Sequence, residues 1–118
     1  MISFTLPAPP GVNTLYANVP GKGRVKTKRY RAWIKEAGWV MRVSPNGTLN
    51  HWTPITGPVN VTILGGNARQ DNDAGVKAIF DLMTRMRVWL DDAQVREHTV
   101  SHGGLRAKTI VTIIPLGP

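Results

Sequence analysis

The sequence predicts one α/β domain in which two helices pack on a mixed β-sheet. Short segments of alternating apolar and polar residues indicate strands, and two longer segments with apolar residues at helical spacing lie between them. The length of 118 residues accommodates a single core, and no internal repeat or interior linker divides the chain. The predicted order is β-α-β-α-β-β over residues 1–118, while the pattern leaves the order of the strands in the sheet open.

The first strand and the first helix follow from periodicity in the N-terminal part. Ile2–Leu6 alternates apolar and polar residues and is stopped by Pro7–Gly11, which predicts a short strand leading into an extended segment. From Thr27 to about Val43, apolar residues recur on one helical face. That face carries Tyr30, Trp33, Ile34, Ala37, Val40 and Met41. We expect Trp33, on this face, to lie in the core and Trp39, off it, to be exposed.

The C-terminal half predicts a strand, a helix and two further strands. Val59 to Ile63 alternates apolar and polar residues, and a second amphipathic helix runs from Asp73 to Arg87. Its apolar stripe consists of Val76, Ile79, Phe80, Leu82, Met83 and Met86. Two strands follow, at about Gln94–Ser101 and Leu105–Ile114. Because adjacent glycines suit the positive φ angles of a tight turn, His102-Gly103-Gly104 predicts a hairpin between these two strands.

The composition excludes several classes of protein. No cysteine is present, which rules out disulfides, thiol catalysis and thiolate-bound metals, so a metal ion would need oxygen or imidazole ligands. The N-terminus lacks a basic segment followed by an apolar one, and the uncharged stretch 43–68 is broken too often by proline, glycine and asparagine to form a membrane helix. We therefore expect a cytoplasmic protein with no membrane contact.

The charge of the chain is strongly basic and unevenly distributed. Fifteen Lys and Arg against seven Asp and Glu give a formal net charge of +8, which favours binding to a polyanion such as nucleic acid. Basic residues are concentrated in one early segment, at Lys22, Arg24, Lys26, Lys28, Arg29, Arg31 and Lys35. The part at Gly21–Arg24 is expected to be a flexible surface arm, and an ordinary solvated loop explains it equally well.

Acidic residues form a second cluster later in the chain. Five of the seven acids fall within residues 71–92, at Asp71, Asp73, Asp81, Asp91 and Asp92. Carboxylates repel phosphate, so an acidic cluster in a basic, polyanion-binding chain needs an explanation. A divalent cation bound by these carboxylates would provide it. Asp71 and Asp73 stand where a strand region gives way to a helix, so in extended backbone both would point to one side and share a cation. Capping of the helix is the alternative role for Asp73.

The remaining charged residues of this region have two interpretations each. Lys77, one helical turn after Asp73, could stabilise a phosphate oxygen or form an ordinary i,i+4 pair. Asp81 is assigned to a solvated ladder with its neighbours on the helix. Of Asp91 and Asp92, which point oppositely in extended backbone, one is expected to serve the site. The helix is roughly 20 Å long, so the short segment after it would have to be almost fully extended for Asp91 or Asp92 to reach Asp71 and Asp73 of the same chain. A site completed by a partner subunit is therefore an open alternative.

Together these residues match what metal-dependent phosphodiester cleavage needs. Carboxylates would hold Mg²⁺ or Mn²⁺, and cationic groups would stabilise the charge of the transition state. His51, His98 and His102 are scattered without the spacing of a zinc site, and no serine lies in a nucleophile elbow.

The motifs in this region resemble those of the RusA-like Holliday junction resolvases, small phage- and prophage-associated endonucleases. The resemblance rests on Asp71-Asn72-Asp73 followed by Lys77 to Asp81, on Val88 to Val95, and on the opening Thr5 to Pro10, with Asn13 and Tyr16 behind it. It implies a homodimer that nicks two opposed strands of a four-way DNA junction with Mg²⁺, in a bacterial or phage-infected cell and without an organic cofactor.

The resemblance also implies roles for individual residues. Asp71, Asp73 and Asp92 would be the essential metal-binding aspartates, with Asp91 as a further candidate, and Lys77 the functional lysine. The DNA-binding residues would be Lys22, Arg24, Lys26, Lys28, Arg29, Arg69 and Lys77. Two alternatives remain: a catalytically silent nucleic-acid-binding module, and a nuclease for other branched or flapped DNA.

Overall fold

The fold consists of a four-stranded mixed sheet, a separate two-stranded hairpin and two helices. A computed structural model describes residues 2–10, 15–43, 54–65, 72–102 and 108–117, with the backbone alone described at 72–74 and 102. The elements are β1 (Ile2–Pro7), β2 (Tyr16–Val19), β3 (Gly23–Lys26), α1 (Lys28–Val43), β4 (Val59–Gly65), α2 (Asn72–Arg85), a 3₁₀ helix (Asp92–Gln94), β5 (Val95–His102) and β6 (Lys108–Pro115). None of the helices in these ranges is long and apolar enough to cross a membrane.

The sheet has the strand order β1-β6-β4-β5, and its core lies on one face. β6 pairs antiparallel with both β1 and β4, whereas β4 and β5 run parallel. One face of the strands contributes the buried residues Phe4, Leu6, Val59, Val61, Ile63, Val111 and Ile113. These join the buried side chains of α1 and α2 in one cluster. The α/β class with two helices and a mixed sheet is therefore confirmed.

The first helix forms where its apolar spacing predicts. Thr27 lies just before α1 and caps it, because its Oγ1 accepts a hydrogen bond from the backbone N–H of Tyr30 at 3.2 Å. Trp33 is 5% exposed and donates from Nε1 to the carbonyl oxygen of Pro7 at 2.9 Å, which ties α1 to the end of β1. Trp39 is 63% exposed. Both expectations for these tryptophans are confirmed.

The predicted hairpin between the last two strands is wrong. β5 and β6 are not neighbours, since β4 lies between them and pairs with both. The alternation of Val59, Val61 and Ile63 into the core explains this arrangement, because a strand buried on one face gains most from having a partner at each edge. β5 is largely exposed and takes the edge of the sheet. The connection 103–107, with its adjacent glycines, lies outside the described residues.

The basic arm expected at Gly21–Arg24 is part of a hairpin. β2 and β3 pair antiparallel, and the backbone N–H of Lys22 donates to the carbonyl oxygen of Val19 at 3.0 Å to close the turn. Gly21 and Gly23 have φ angles of 78° and 72°, which side chains with a Cβ rarely adopt. The glycines that suggested flexibility thus serve a defined turn.

The end of α2 is defined by a turn that reverses the chain. Arg87 has a φ of 61°, its N–H donates to Thr84, and the N–H of Val88 donates to Met83. This pair of bonds is the Schellman pattern, with Arg87 in the left-handed position where glycine is usual. The turn sends Val88 and Trp89 back into the core, where both are fully buried. The following residues therefore return toward α2.

Candidate active site

A cavity of about 480 Å³ lies where the hairpin, α1, α2 and the turn after α2 meet. Its wall combines acidic, basic and aromatic side chains. The acidic residues are Asp81, Asp91 and Asp92; the basic ones are Lys26 and Arg85; the remaining ones are Tyr16, Tyr30, Ile34, Leu82, Thr84 and Leu90. We call this the acidic cavity. It brings carboxylates and cations to one surface, as cleavage of a phosphodiester requires.

Asp91 is fixed by the local structure of the turn. It is the N-cap of the 3₁₀ helix, and its Oδ1 accepts a hydrogen bond from the N–H of Ala93 at 2.9 Å. The side chain of Gln94 completes a capping box by accepting from the N–H groups of Leu90 and Asp91, at 2.9 and 3.0 Å. One oxygen of Asp91 is thus occupied in holding the turn, whereas Asp92 follows it at the exposed start of the short helix.

Gln94 also ties this turn to a distant part of the chain. Its Nε2 donates to the carbonyl oxygens of Ile55 and Gly57, at 2.7 and 2.9 Å. The N–H of Ile55 in turn donates to Val88 at 2.9 Å. All four hydrogen bonds of the Gln94 amide therefore position the Asp91–Asp92 pair against the segment before β4. Sequence reasoning gave Gln94 no role, although a Gln three residues after Asp91 is the signature of a capping box.

Trp89 anchors the same turn from inside the core. It is fully buried, and its Nε1 donates to Oγ1 of Thr84 at 2.7 Å. The ring of Phe80 meets it edge to face at 5.6 Å between centroids, and Phe80 meets His98 of β5 in the same way at 5.5 Å. His98 is therefore a packing residue here. The indole connects α2 with the turn that carries the aspartates, and Phe80 extends this packing to the edge strand β5.

Asp92 lies in an electrostatic environment that disfavours its negative charge. Desolvation raises the pKa of its carboxyl, as do the hydrogen bond that the protonated Asp92 donates to Asp91 and the charges of Asp91 and Asp81, while the charge of Lys77 lowers the pKa. Three carboxylates thus act on one another at this end of the acidic cavity. Such crowding is what a bound cation would relieve. Within the described ranges, however, no three ligating side chains are grouped closely enough to hold a metal ion by themselves.

Tyr30 contributes a neutral hydroxyl to the wall of the acidic cavity. Burial and the charge of Asp81 raise the pKa of Tyr30 to about 12, with a further increase from Tyr16 and an opposing effect of Arg85. Since the hydroxyl stays protonated at any physiological pH, it is a hydrogen-bond donor for an anion in the cavity. Its ring packs edge to face on Tyr16 at 5.8 Å and stacks on Trp33 at 6.3 Å.

The structure brings Asp92 back to α2 of its own chain. The charges of Lys77 and Asp81, both on α2, act on Asp92, so the return after the helix is made within one protomer. The reversal at Arg87 directs the chain back toward α2, while a site with Asp71 and Asp73 completed by a partner subunit stays a prediction. Asp81, which sequence analysis assigned to a solvated ladder, is half-buried and lines the acidic cavity beside Arg85.

The first aspartate motif is described only in part. Asp71 and Arg69 lie outside the described residues, and for Asp73 the backbone alone is described. Helix α2 begins at Asn72, so Asp73 lies within its first turn and does not precede it as a cap. The argument that extended backbone points Asp71 and Asp73 to one side does not apply to the helical Asp73. Lys77 is exposed one turn later on α2.

The predicted DNA-binding residues occupy different positions. Lys26 lines the acidic cavity, and the guanidinium of Arg24 lies 4.6 Å from the ring centre of Tyr16, at the edge of that cavity. Lys22 lies at the exposed hairpin turn, whereas Lys28 and Arg29 are exposed in the first turn of α1 and do not line the cavity. Their role in binding DNA stays a prediction.

Comparison with known proteins gives several relatives that share one name. A protein of Escherichia coli strain K12, crossover junction endodeoxyribonuclease RusA, is 34% identical over 101 residues, which cover 83% of this chain and 79% of the relative. The protein of the same name from Shigella sonnei strain Ss046 is 33% identical over the same shares. No protein-family model matches the chain.

Proposed function

Because the chain belongs to the RusA family of crossover junction endodeoxyribonucleases, we propose that it resolves four-way DNA junctions by paired, symmetric, Mg²⁺-dependent nicks. The observation that supports this most is the meeting of Asp81, Asp91 and Asp92 with Lys26 and Arg85 around one cavity. A module that only bound nucleic acid would gain nothing from three carboxylates at its basic surface. Acting on DNA, the protein would work in the cytoplasm of a bacterial or phage-infected cell.

The side chains of the acidic cavity offer part of a ligand set for a hard divalent cation, and the described residues alone do not complete it. They offer carboxylate oxygens, the ligands that Mg²⁺ prefers, and Mn²⁺ accepts the same set. Desolvation and the neighbouring charges of Asp91 and Asp81 raise the pKa of Asp92, and a bound cation would act in the opposite direction. We propose that Asp92 holds the cation together with Asp71 and Asp73, and that Asp91 acts mainly as the cap of the turn.

The residues of the chain would then divide the work on the phosphodiester. When bound, Mg²⁺ polarises the phosphate and lowers the pKa of an attacking water molecule. Lys77, whose charge already reaches Asp92, would pair with a non-bridging oxygen and stabilise the charge that develops there. Lys26 and Arg85 on the cavity wall would hold neighbouring phosphates. The neutral hydroxyl of Tyr30 would donate a hydrogen bond to the strand.

A homodimer would match the two-fold symmetry of a four-way junction, because two copies then present two identical sites. The outer face of the sheet supports this proposal. Leu64 of β4 lies opposite Ile110 of β6, and Ile114, which is 40% exposed, lies further along β6 on the same face, opposite Asn60. The core lies on the other face, which leaves these apolar side chains available to a second copy.

Cleavage of a labelled junction tests the proposed function. We expect nicks at symmetric positions of two opposed strands in Mg²⁺ or Mn²⁺ and none in EDTA, with a particle of twice the chain mass by sedimentation. Binding without nicking across several junction sequences and both metals would contradict the enzyme and favour the binding module. Faster cleavage of flaps than of junctions, in the same assay, would favour the nuclease for other branched DNA.

Gln94 is expected to be a positioning residue for the aspartates. In Gln94→Glu, an oxygen replaces the Nε2 donor and faces the carbonyl oxygens of Ile55 and Gly57, so the turn carrying Asp91 and Asp92 should shift. We expect the Mg²⁺ concentration for half-maximal cleavage to rise about 10- to 100-fold, the range typical of lost support around metal ligands. The measurement is a Mg²⁺ titration of the cleavage rate.

A purely structural role for Gln94 predicts a different result. The variant would then unfold at lower urea concentration, but the fraction that stays folded would need the same Mg²⁺ concentration as the wild type. Gln94→Ala provides the comparison, because it removes the same donor without adding a charge. An unchanged Mg²⁺ requirement in both variants would contradict the positioning role.

A further inference from the structure

A second cavity, of about 490 Å³, lies beside the acidic cavity along α1. Its cationic wall is formed by Lys26, Arg31, Lys35, Arg42 and Arg85. No carboxylate is among the described residues that line it. We call it the basic groove. Five positive charges with no carboxylate among them produce a surface that attracts a polyanion. The spacing of these charges indicates the shape of the polyanion that would fit.

The cations of the basic groove follow the axis of α1. Arg31, Lys35 and Arg42 lie on one side of the helix, and the eleven steps along the chain from Arg31 to Arg42 correspond to roughly 16 Å of helix. A nucleic-acid strand places several phosphates over that distance, since the rise per nucleotide is about 3.4 Å in B-form DNA. The arrangement thus fits a linear row of phosphates better than a single small anion.

An exposed tryptophan stands among these cations. Trp39 is 63% exposed, and Ile34, Gly38 and Met86 form the apolar part of the groove beside it. A Cβ at position 38 would lie 3.4 Å from Sδ of Met86, so α1 and the turn after α2 come within van der Waals contact at the floor of the groove. An indole in a cationic groove provides a stacking surface for a nucleic-acid base. Only an unpaired base can use it, because the faces of paired bases are covered inside the duplex.

The basic groove continues into the acidic cavity. Lys26, Ile34 and Arg85 line both, so a strand lying in one leads directly to the other. We propose that the basic groove binds an unpaired stretch of DNA strand, with its phosphates on the five cations and one base stacked on Trp39. This inference rests on the proposed function for the identity of the strand, which would be the continuation of the strand that is cut.

Binding of a fluorescent twelve-residue thymidine oligonucleotide in EDTA tests this proposal without any cleavage. We expect Trp39→Ala to weaken binding about 5- to 100-fold, the range that corresponds to the loss of one stacked base. Trp39→Phe should retain most of the affinity, because it keeps an aromatic face. Arg42→Ala should reduce the slope of log affinity against log salt by about 0.7, the value for one phosphate contact on a single strand.

The matched control is Arg96→Ala, which removes the same charge from an exposed residue of β5 that lines neither cavity. Its salt slope should equal that of the wild type. The groove is refuted if Trp39→Ala binds the oligonucleotide as tightly as the wild type, or if Arg42→Ala and Arg96→Ala have equal slopes. Junction cleavage by the wild type tests the proposed function separately. If Trp39→Ala weakens oligonucleotide binding but the wild type does not nick junctions, only the proposed function is refuted. If the wild type nicks junctions but Trp39→Ala leaves oligonucleotide binding unchanged, only the groove is refuted.

Discussion

Asp92→Asn is expected to abolish junction cleavage, by about 10²-fold or more, while leaving junction binding intact. A carboxylate that holds the catalytic cation contributes several kcal/mol of transition-state stabilisation, and each 1.36 kcal/mol corresponds to a factor of ten in rate. The substitution adds no bulk at an exposed position, so the fold should be unaffected. Because it removes a negative charge that repels DNA, binding in EDTA should be equal or slightly tighter. The measurements are single-turnover cleavage in Mg²⁺ and fluorescence anisotropy in EDTA.

Asp91→Asn is the matched control for this prediction. Oδ1 of Asp91 accepts a hydrogen bond from the N–H of Ala93. Asparagine retains this oxygen and is an equally good helix cap. We therefore expect Asp91→Asn to keep the turn and to lose much less activity than Asp92→Asn. The reverse order of the two variants would assign the metal to Asp91, and full activity of both would remove this pair from the catalytic site.

The two helices and the four strands of the main sheet could be predicted because each has a strong local signal, whereas β2 and β3 were not predicted as strands. The apolar spacing of α1 and α2, and the alternation in β1 and β4, each identify one buried face. The order of strands could not be predicted, because a local pattern does not state which strand stands between two others. The paired glycines favoured a hairpin, but the burial of β4 decided the pairing across the whole sheet.

The candidate site was predictable as a set of residues but not as a surface. The spacing of the motifs singled out Lys77 and one member of the Asp91–Asp92 pair, and the resemblance chose Asp92, whose carboxyl feels the charge of Lys77 in the structure. The place of Asp81 on a cavity wall could not be predicted, because an i,i+4 ladder has the same appearance in sequence whether its helix faces solvent or a cavity. Which side of α1 forms a groove depends on where α2 packs against it. That information lies in tertiary contacts such as the approach of Gly38 to Met86.

Trp89→Ala is expected to lower the free energy of unfolding by about 3–5 kcal/mol, the cost typical of truncating a buried tryptophan. Small domains are stable by only about 5–15 kcal/mol, so a large part of the total would be lost. The indole is fully buried, packs against Phe80 and donates to Thr84, and all three contributions disappear together. Urea unfolding followed by circular dichroism measures the change.

Trp39→Ala is the matched control, since it removes the same side chain from an exposed position of α1 and should change stability by no more than about 0.5 kcal/mol. Trp89→Phe refines the test. It keeps an aromatic ring against Phe80 but loses the donor to Thr84, so its cost should be smaller, at about 1–3 kcal/mol. If the alanine variants at positions 89 and 39 were equally stable, the turn carrying Asp91 and Asp92 would not be anchored through the core. A large difference is expected because Trp89 anchors this turn from the core, whereas Trp39 is exposed.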